Sequence, residues 1–389
     1  MTFVFLSEGD THAGTTHESR YHELVEQVVH AERWGFDCFG VSEQHLAIGS
    51  ATTASPEVLY GYLYGHTSRI RFRHAISLIP VNHPLKIAAN VAVADILSHG
   101  RIELGVGRGN TTLALRAFEI DLDRSRLAVK EGIEIIRKAF TEDPFMFYGE
   151  YYKIPPRSLV PKTIQKPHPP MFVAASSRES HEVAARAGIG VMSVSSSIGW
   201  QLLADNIAAY RRAFNAVNGT PSVGVLVNAY CGETDEVAKA EGGPSLVEYM
   251  RVAYTGYTRL AKMSKDYAYM GAFGALGDRI VDYDYIVNDS GAVVIGSPET
   301  CIRQIEHYRS LGATEMILRI DSVPHDRILR SIELFGKYVI PHFKHPENIV
   351  RASEEILGDI RRMRDVAKAQ GVYVELTEPG QGQKSAGLS

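Results

Sequence analysis

A short apolar run followed by an amphipathic helical stretch recurs eight times along the chain, and this alternation constrains the fold more than any other feature of its 389 residues. The opening run TFVFL precedes a stretch from Glu18 to Trp34 in which Leu24, Val28 and Ala31 fall at helical spacing until Gly35 stops it. The pattern repeats with DCFGV and Pro56 to Gly65, RIRFRHAISLI and Pro84 to Leu97, RIELGV and Asp123 to Phe140, and MFVAA and Arg178 to Ala187. VMSVS then leads into Gly199 to Phe214 and SVGVLVNAYC into a helix near Asp235. ATEMILRI, fed by a helix Glu299 to Leu311, leads into Arg327 to Val339. Parallel strands need long crossovers and burial on both faces, which apolar runs separated by amphipathic helices provide. Eight such units close most simply as a (β/α)8 barrel, the α/β TIM barrel, with an open doubly wound sheet as the alternative.

The barrel is expected over residues 1–345, with two interruptions. Residues 141–170 carry DPF, PP, P, KP and HPP, and proline blocks both the helix interior and the central strand. An irregular excursion is therefore expected before the fifth strand. Residues 236–290, after strand seven, hold seven of the 19 tyrosines. That density reads as an insertion whose rings either form a lid and substrate wall or pack helices against the barrel or a partner subunit. Residues 346–389 are expected to form a C-terminal helix, patterned around Glu354 to Lys368, and a solvated tail ending in GQGQKSAGLS.

Charge and cysteine usage remove several functions. Lys and Arg number 41 against 45 Asp and Glu, a net −4 with no long like-charge block, so neither nucleic acid nor an anionic membrane surface is an expected partner. The first apolar run, Phe3 to Leu6, is cut off by Glu8 and Asp10, which makes it neither a signal sequence nor a membrane span and gives a cytoplasmic expectation. Cys38, Cys231 and Cys301 lack C-x-x-C spacing and are expected as small buried hydrophobes. His17 and His22 are five apart where a helical zinc pair needs four, so no metal site is expected.

In a barrel, the residues that follow each strand face the active site. Here these are Ser42-Glu43-Gln44-His45 after strand two, Asn82 and His83 after strand three, Gly107-Arg108-Gly109-Asn110 after strand four, and Ser176-Ser177-Arg178-Glu179-Ser180 after strand five. The last two suit an anion. Glycines let the backbone approach a ligand, and Arg108 offers a planar fork matched to phosphate oxygens. The serines open a helix whose unpaired N–H groups and positive dipole end favour an anion, with the hydroxyls of Ser177 and Ser180 as added donors. Ser177 and Ser180 also read as a helix cap, and Arg108 as an ion-pair partner. His45 and His83 suit acid–base work or a hydrogen bond to a reactive ligand atom. Glu43 and Glu233, both at strand ends, permit a paired-carboxylate hydrolase.

Four longer blocks extend these motifs: HELVEQVVHAERWGFDCFGVSEQHL, ISLIPVNHPLKIAANVAVADILSHGRIELGVGRGN, PPMFVAASSRESHEVAARAGIG and GSPETCIRQIEHYRSLGATEMILRIDSVPHDRILRSIELFGKYVIPHF. In this order they resemble the bacterial-luciferase-like family of flavin-dependent monooxygenases, which are (β/α)8 barrels, over roughly residues 1–343. The resemblance implies that Arg108, Ser177 and Ser180 hold the phosphate of a reduced FMN, with Ser176 and Gly107 as further cofactor-binding candidates. It also implies a non-proline cis peptide at Ala75-Ile76, under the flavin ring. Many members carry Glu-His-His after strand two, and the first histidine serves catalysis in luciferase. This chain reads Glu43-Gln44-His45 there. Gln44 cannot act as acid or base but can hydrogen-bond an oxygen, His45 keeps the second position, and His83, with Asn82 beside it, gains weight as a catalytic candidate.

The function implied is a two-component monooxygenase that uses reduced FMN and O2, through a flavin C4a-peroxide, to oxygenate a small organic substrate. A separate NAD(P)H:flavin reductase would supply the reduced flavin, since no second nucleotide site is evident. Members commonly dimerise through early helices, which implies a homodimer or a dimer of dimers. The alternatives are a deazaflavin-dependent hydride-transfer oxidoreductase on the same barrel, a flavin-binding protein without turnover, and the barrel hydrolase.

Overall fold

A computed structural model describes residues 1–344 of the chain except 12–13, 47–51, 195–198, 215–219 and 322. Met1–Lys344 form one unit. The helix and tail expected over 346–389 lie outside the described residues.

Every apolar run identified in the sequence is a strand. In chain order the first four are β1 (Thr2–Ser7), β2 (Cys38–Val41), β3 (Arg71–Leu78) and β4 (Ile102–Gly107). A separate antiparallel hairpin follows, β5 (Phe145–Tyr148) with β6 (Lys153–Arg157). Then come β7 (Met171–Ala175), β8 (Gly190–Ser193), β9 (Val223–Cys231), β10 (Val293–Gly296) and β11 (Glu315–Arg319). Parallel pairings run β1-β2-β3-β4-β7-β8-β9-β11, and β11 pairs back onto β1, closing an eight-stranded parallel barrel with helices between the strands. The alternative of an open sheet is thereby excluded, because a closed ring has no edge.

The barrel interior is layered. At its lower end Arg73 is fully enclosed, donating to Glu103 at 2.7 Å and to Glu315 at 2.6 Å, with its guanidinium 3.6 Å from the Phe172 ring centre. A buried cation of this kind persists because both of its hydrogen-bonded edges meet carboxylates. Above it lies an apolar layer that includes Leu6, Phe172, Met192 and Ile317, against which Ala75, Ile76, Ala174 and Leu226 pack. Cys38, Cys231 and Cys301 are buried, as expected of small hydrophobes.

Two elements differ from expectation. The proline-rich stretch is not wholly irregular: β5 and β6 pair within it, and Glu131 caps their turn by accepting the backbone N–H groups of Glu150, Tyr151 and Tyr152 at 2.8–3.0 Å. Pro155 and Pro156 are tolerated in β6 because a two-stranded ribbon has only edges. The other difference is β10, a strand absent from the apolar-run reading, which pairs in parallel with the outer half of β9.

The insertion comprises a long helix, Asp235–Ala261, a 3-10 stretch, Lys265–Val281, and a short helix, Tyr283–Asn288. Its two ends are clasped at the barrel rim: Asp235 accepts the Ser297 N–H at 2.7 Å and the Thr300 hydroxyl at 3.0 Å. Among the described residues no helix is long and apolar enough to cross a membrane.

Candidate active site

A cavity of about 470 Å³ opens at the C-terminal ends of the barrel strands. Its size falls in the range of small-molecule and cofactor sites. Apolar side chains from four strands supply its floor: Ala75 and Ile76 from β3, Ala174 from β7, Met192 from β8 and Leu226 from β9. The Ala75-Ile76 peptide is cis, and the β3–β4 register shifts between His74 and Ser77 around it. At Gly107 an added Cβ would stand 2.3 Å from Ile76 Cδ1, so the glycine lets β4 approach that floor.

One end of the cavity gathers groups that suit an anion. Arg108 lies stacked over Tyr267, 4.1 Å from its centre, and its Nη2 donates to the Tyr269 hydroxyl at 3.4 Å. Tyr269 in turn accepts from the Ser176 hydroxyl at 2.8 Å. Ser177 caps the helix Arg178–Arg186 in a capping box: the Ser180 N–H donates to Ser177 Oγ and the Ser177 N–H to Ser180 Oγ. The capping role and the cavity-facing position coincide, since Ser176, Ser177 and Ser180 all line the cavity beside the positive end of that helix. Arg126, ion-paired with Glu179, and Lys130 add positive charge to the same wall.

The cap is buttressed from below by His181. A carbonyl can only accept, so His181 Nδ1–H donates to Ser177 O at 2.8 Å, and Nε2 accepts from the Ser193 hydroxyl of β8 at 3.0 Å. Burial holds this imidazole neutral, pushing its pKa down to about 4 against a weaker upward pull from the Ser177 carbonyl.

Glu43, Gln44 and His45 line the cavity after β2. Glu43 is saturated, accepting the Leu78 N–H at 2.9 Å, the Asn82 amide at 2.7 Å and His45 Nε2 at 2.7 Å. Because the carboxylate only accepts, His45 carries its proton on Nε2, and Nδ1 is the nitrogen left to take or return one. Gln44 Oε1 accepts from the Thr111 hydroxyl at 3.2 Å.

Opposite the anion end, across the ring of strands, β1 and β11 bring together groups that the sequence reading missed. Arg319 is buried behind the cavity and donates to Glu8 at 2.9 Å, Asp10 at 2.6 Å and Asn228 at 3.1 Å. Asp321 pairs with the enclosed Arg20 at 3.0 Å and accepts the Glu8 N–H at 2.8 Å. Burial raises the Glu8 carboxyl above its ordinary range against the pull of Arg319, with Asp10 and Asp321 adding to the rise. Of these residues Glu8 alone lines the cavity. The available signals were a glutamate directly after strand one and an arginine inside an otherwise apolar run, ATEMILRI.

The insertion supplies a wall to the same cavity through Tyr249, Tyr257, Tyr267 and Tyr269. Tyr254 packs into the cluster of Leu260, Tyr267 and Met270, so the insertion's rings serve both the wall and helix packing. The Tyr257 hydroxyl, buried, is pushed up to about 12 and accepts from the Asn110 amide at 3.3 Å.

Three of the residues expected at the site lie off the cavity lining. His83 is not on the cavity: it caps the helix Pro84–Leu97, its Nδ1 accepting the Leu85 N–H at 3.2 Å, and its ring packs edge-on to Tyr152. The proline after it is the first residue of that helix, a position proline favours, which leaves His83 as the N-cap. Asn82 also lies off the cavity and acts behind it, as a donor to Glu43. Glu233, far from pairing with Glu43, is bound to Arg330 at 2.6 Å outside the cavity lining, so the two carboxylates of a hydrolase are not brought together.

Comparison with known proteins adds to this geometry. The sequence profile of the luciferase-like monooxygenase family matches residues 1–315. The oxygenase component of flavin-dependent trigonelline monooxygenase from Acinetobacter baylyi is 24% identical over 336 residues, covering 84% of this chain and 91% of that one. An uncharacterized protein from Sinorhizobium fredii, y4vJ, is 28% identical over 48% of this chain, a match that spans only 52% of that protein. Among solved structures, monooxygenase RslO1 from Streptomyces bottropensis superposes with a TM-score of 0.73 at 26% identity, covering 88% of this chain and all of that one. Two more distant structures share the fold. They are the oxygenating constituent of 3,6-diketocamphane monooxygenase from Pseudomonas putida in complex with FMN (TM-score 0.69, 20% identity, 88% and 98% covered), and a coenzyme F420-dependent tetrahydromethanopterin reductase from Methanopyrus kandleri (0.67, 17%, 88% and 99%).

Proposed function

The chain belongs to the luciferase-like monooxygenase family and is a flavin-dependent monooxygenase; from that premise we propose that it is the oxygenase of a two-component system, using reduced FMN and O2 to oxygenate a small organic substrate. The observation that carries this reading is one cavity with an anion-competent end, an apolar floor and a tyrosine wall.

The residues fit FMN. Arg108, with Ser176, Ser177, Ser180 and the first turn of the helix Arg178–Arg186, would hold the phosphate. Ala75, Ile76 and Gly107 would lie beneath the ring, where the missing Cβ at Gly107 leaves the floor low. Reduced FMN, when bound, supplies the electron pair that lets O2 be divided between the product and water. Around it, His45, oriented by Glu43 and through it by Asn82, would hold or move a proton at Nδ1. The Gln44 amide N–H2 would donate a hydrogen bond to an oxygen atom, taking over from the family histidine the positioning part of its role. Tyr249, Tyr257, Tyr267 and Tyr269 would exclude water from the reacting end.

A reductase that uses NAD(P)H is part of the proposal, since the relative from Acinetobacter baylyi is described as an oxygenase component. So is a cytoplasmic place, where such a reductase has its nicotinamide. Self-association is supported by exposed apolar residues on two neighbouring helices, Val58 and Tyr62 on Pro56–Tyr64 and Val93, Ile96 and Leu97 on Pro84–Leu97.

Titration of the protein with FMN and with a deazaflavin, read by flavin fluorescence, tests the cofactor. FMN is expected to bind and Arg108→Ala to weaken it by about 1.5–3 kcal/mol, roughly tenfold to a hundredfold, the scale of a charge-assisted hydrogen bond. Binding of the deazaflavin without FMN would select the hydride-transfer enzyme, a reading kept open by the F420-dependent structural neighbour.

A further inference from the structure

The cavity has two electrostatic ends. In the closed ring β4 and β7 lie across from β11 and β1, so the cationic groups after β4 and β7 face the Glu8 corner across the mouth. The first end holds Arg108, Lys130 and Arg126, the last ion-paired with Glu179; the second presents the Glu8 carboxylate. Arg319, which partners that carboxylate, is 2% exposed in its side chain, whereas Glu8 is 21% exposed. What a ligand meets at this corner is therefore Glu8 and not the guanidinium.

The carboxylate is also under-served. Arg319 is shared between Glu8 and Asp10, and its Nε reaches Glu8 Oε2. The other oxygen, Oε1, has among the described residues the Ser42 hydroxyl, at 3.4 Å. Burial and the neighbouring Asp10 and Asp321 penalise the Glu8 anion more than Arg319 relieves it, which a positive charge arriving from the cavity would correct. Tyr249 and Tyr257 line the cavity with Glu8; the Arg319 guanidinium already stacks on Tyr249, 4.0 Å from its ring centre, and aromatic rings beside a carboxylate form the surroundings in which organic cations are held.

We propose that the substrate is a small organic cation, a protonated amine or a quaternary or pyridinium nitrogen, held at Glu8 between Tyr249 and Tyr257. The proposal rests on the monooxygenase reading for which end the flavin phosphate takes, and it assigns the opposite end to the substrate. Specificity follows from desolvation: an anionic substrate would bring a like charge up to the exposed side of Glu8, and a neutral one would displace water from that carboxylate without supplying a positive charge.

The test uses three probes of similar size: benzyltrimethylammonium, its uncharged isostere neopentylbenzene, and phenylacetate. Each is titrated calorimetrically into the full chain with and without FMN. The expected result is that Glu8→Gln weakens the cation tenfold or more, leaves neopentylbenzene within twofold and does not change FMN affinity, while Glu8→Asp restores most of the cation affinity. The proposal is overturned if Glu8→Gln leaves the cation's affinity unchanged, or if wild-type protein binds phenylacetate more tightly than the cation. The wild-type comparison needs no variant to fold. Absence of FMN binding would overturn the cofactor reading instead, and the cation preference would still be read in the titration without flavin.

Discussion

His181 ties the stability of the barrel to pH through the same contact that supports the helix cap at Ser177, proposed above to hold the FMN phosphate. In the native state it is buried and neutral, bridging Ser177 O and Ser193 Oγ, with a pKa near 4; in the unfolded chain a histidine titrates at about 6.5. The unfolded state therefore binds the proton first on acidification. Stability from this residue is complete above about pH 6.5 and is lost as pH falls toward 4. Between pH 7 and pH 5 the loss amounts to about 2 kcal/mol, rising to roughly 3 kcal/mol at pH 4, from 1.36 kcal/mol for each pH unit separating the two titrations. The perturbation is His181→Gln, which keeps a donor and an acceptor but cannot take up a proton. Urea unfolding of both proteins at pH 7 and pH 5, followed by far-UV circular dichroism, isolates the residue as a difference of differences. Wild type should lose about 2 kcal/mol more than the variant over that interval. Equal losses in the two proteins would refute the argument. At pH 7 the variant should also bind FMN more weakly, because Ser177 loses the imidazole that fixes its carbonyl.

Two further outcomes follow from local geometry. Gly105→Ala places a Cβ 2.1 Å from His74 O and 2.5 Å from Met192 Cε. A backbone oxygen cannot step aside as a side-chain tip can, so the variant should lose about 3 kcal/mol or more, and a melting temperature equal to wild type would sink the packing account. Tyr269→Phe removes the hydroxyl between Arg108 and Ser176 and should raise the FMN dissociation constant about threefold to tenfold, the worth of a hydrogen bond of about 0.5–1.5 kcal/mol. An unchanged constant would show that the Tyr269 hydroxyl is not what fixes Arg108.

How far the residues could be read in advance varied with the kind of information needed. Barrel strands are buried on both faces, so their apolar runs stand out, and all eight were legible together with most of the intervening helices. Gln44, His45, Arg108 and the serines were found because position after a strand implies the mouth. The same rule did not foresee that His83 caps a helix off the cavity lining, since it gives proximity along the chain but not the direction in which the chain turns. Glu8 and Arg319 were invisible for a related reason. A charge at the end of an apolar run reads as punctuation until the ring closes and sets β1 beside β11, more than three hundred residues away in the chain. The hairpin β5–β6 was hidden by its own prolines, which are excluded from central strands but not from a ribbon made of edges.

The Asp235 clasp gives the insertion an unusual evolutionary status. Because Ser297 and Thr300 return to the carboxylate from which the long helix departs, the segment 236–296, the insertion together with β10, begins and ends at nearly the same point on the barrel rim. The entropy of closing such a loop grows only slowly with its length, so this segment can be lengthened, shortened or exchanged for another with little consequence for the strands beneath. The chain is thus built as a barrel carrying an exchangeable cassette, and a graft from a relative, spliced at these two points, would carry over the donor's tyrosine wall and with it whatever replaces Tyr267 and Tyr269 against Arg108, while Glu8 and the helix cap at Ser177 stayed on the barrel.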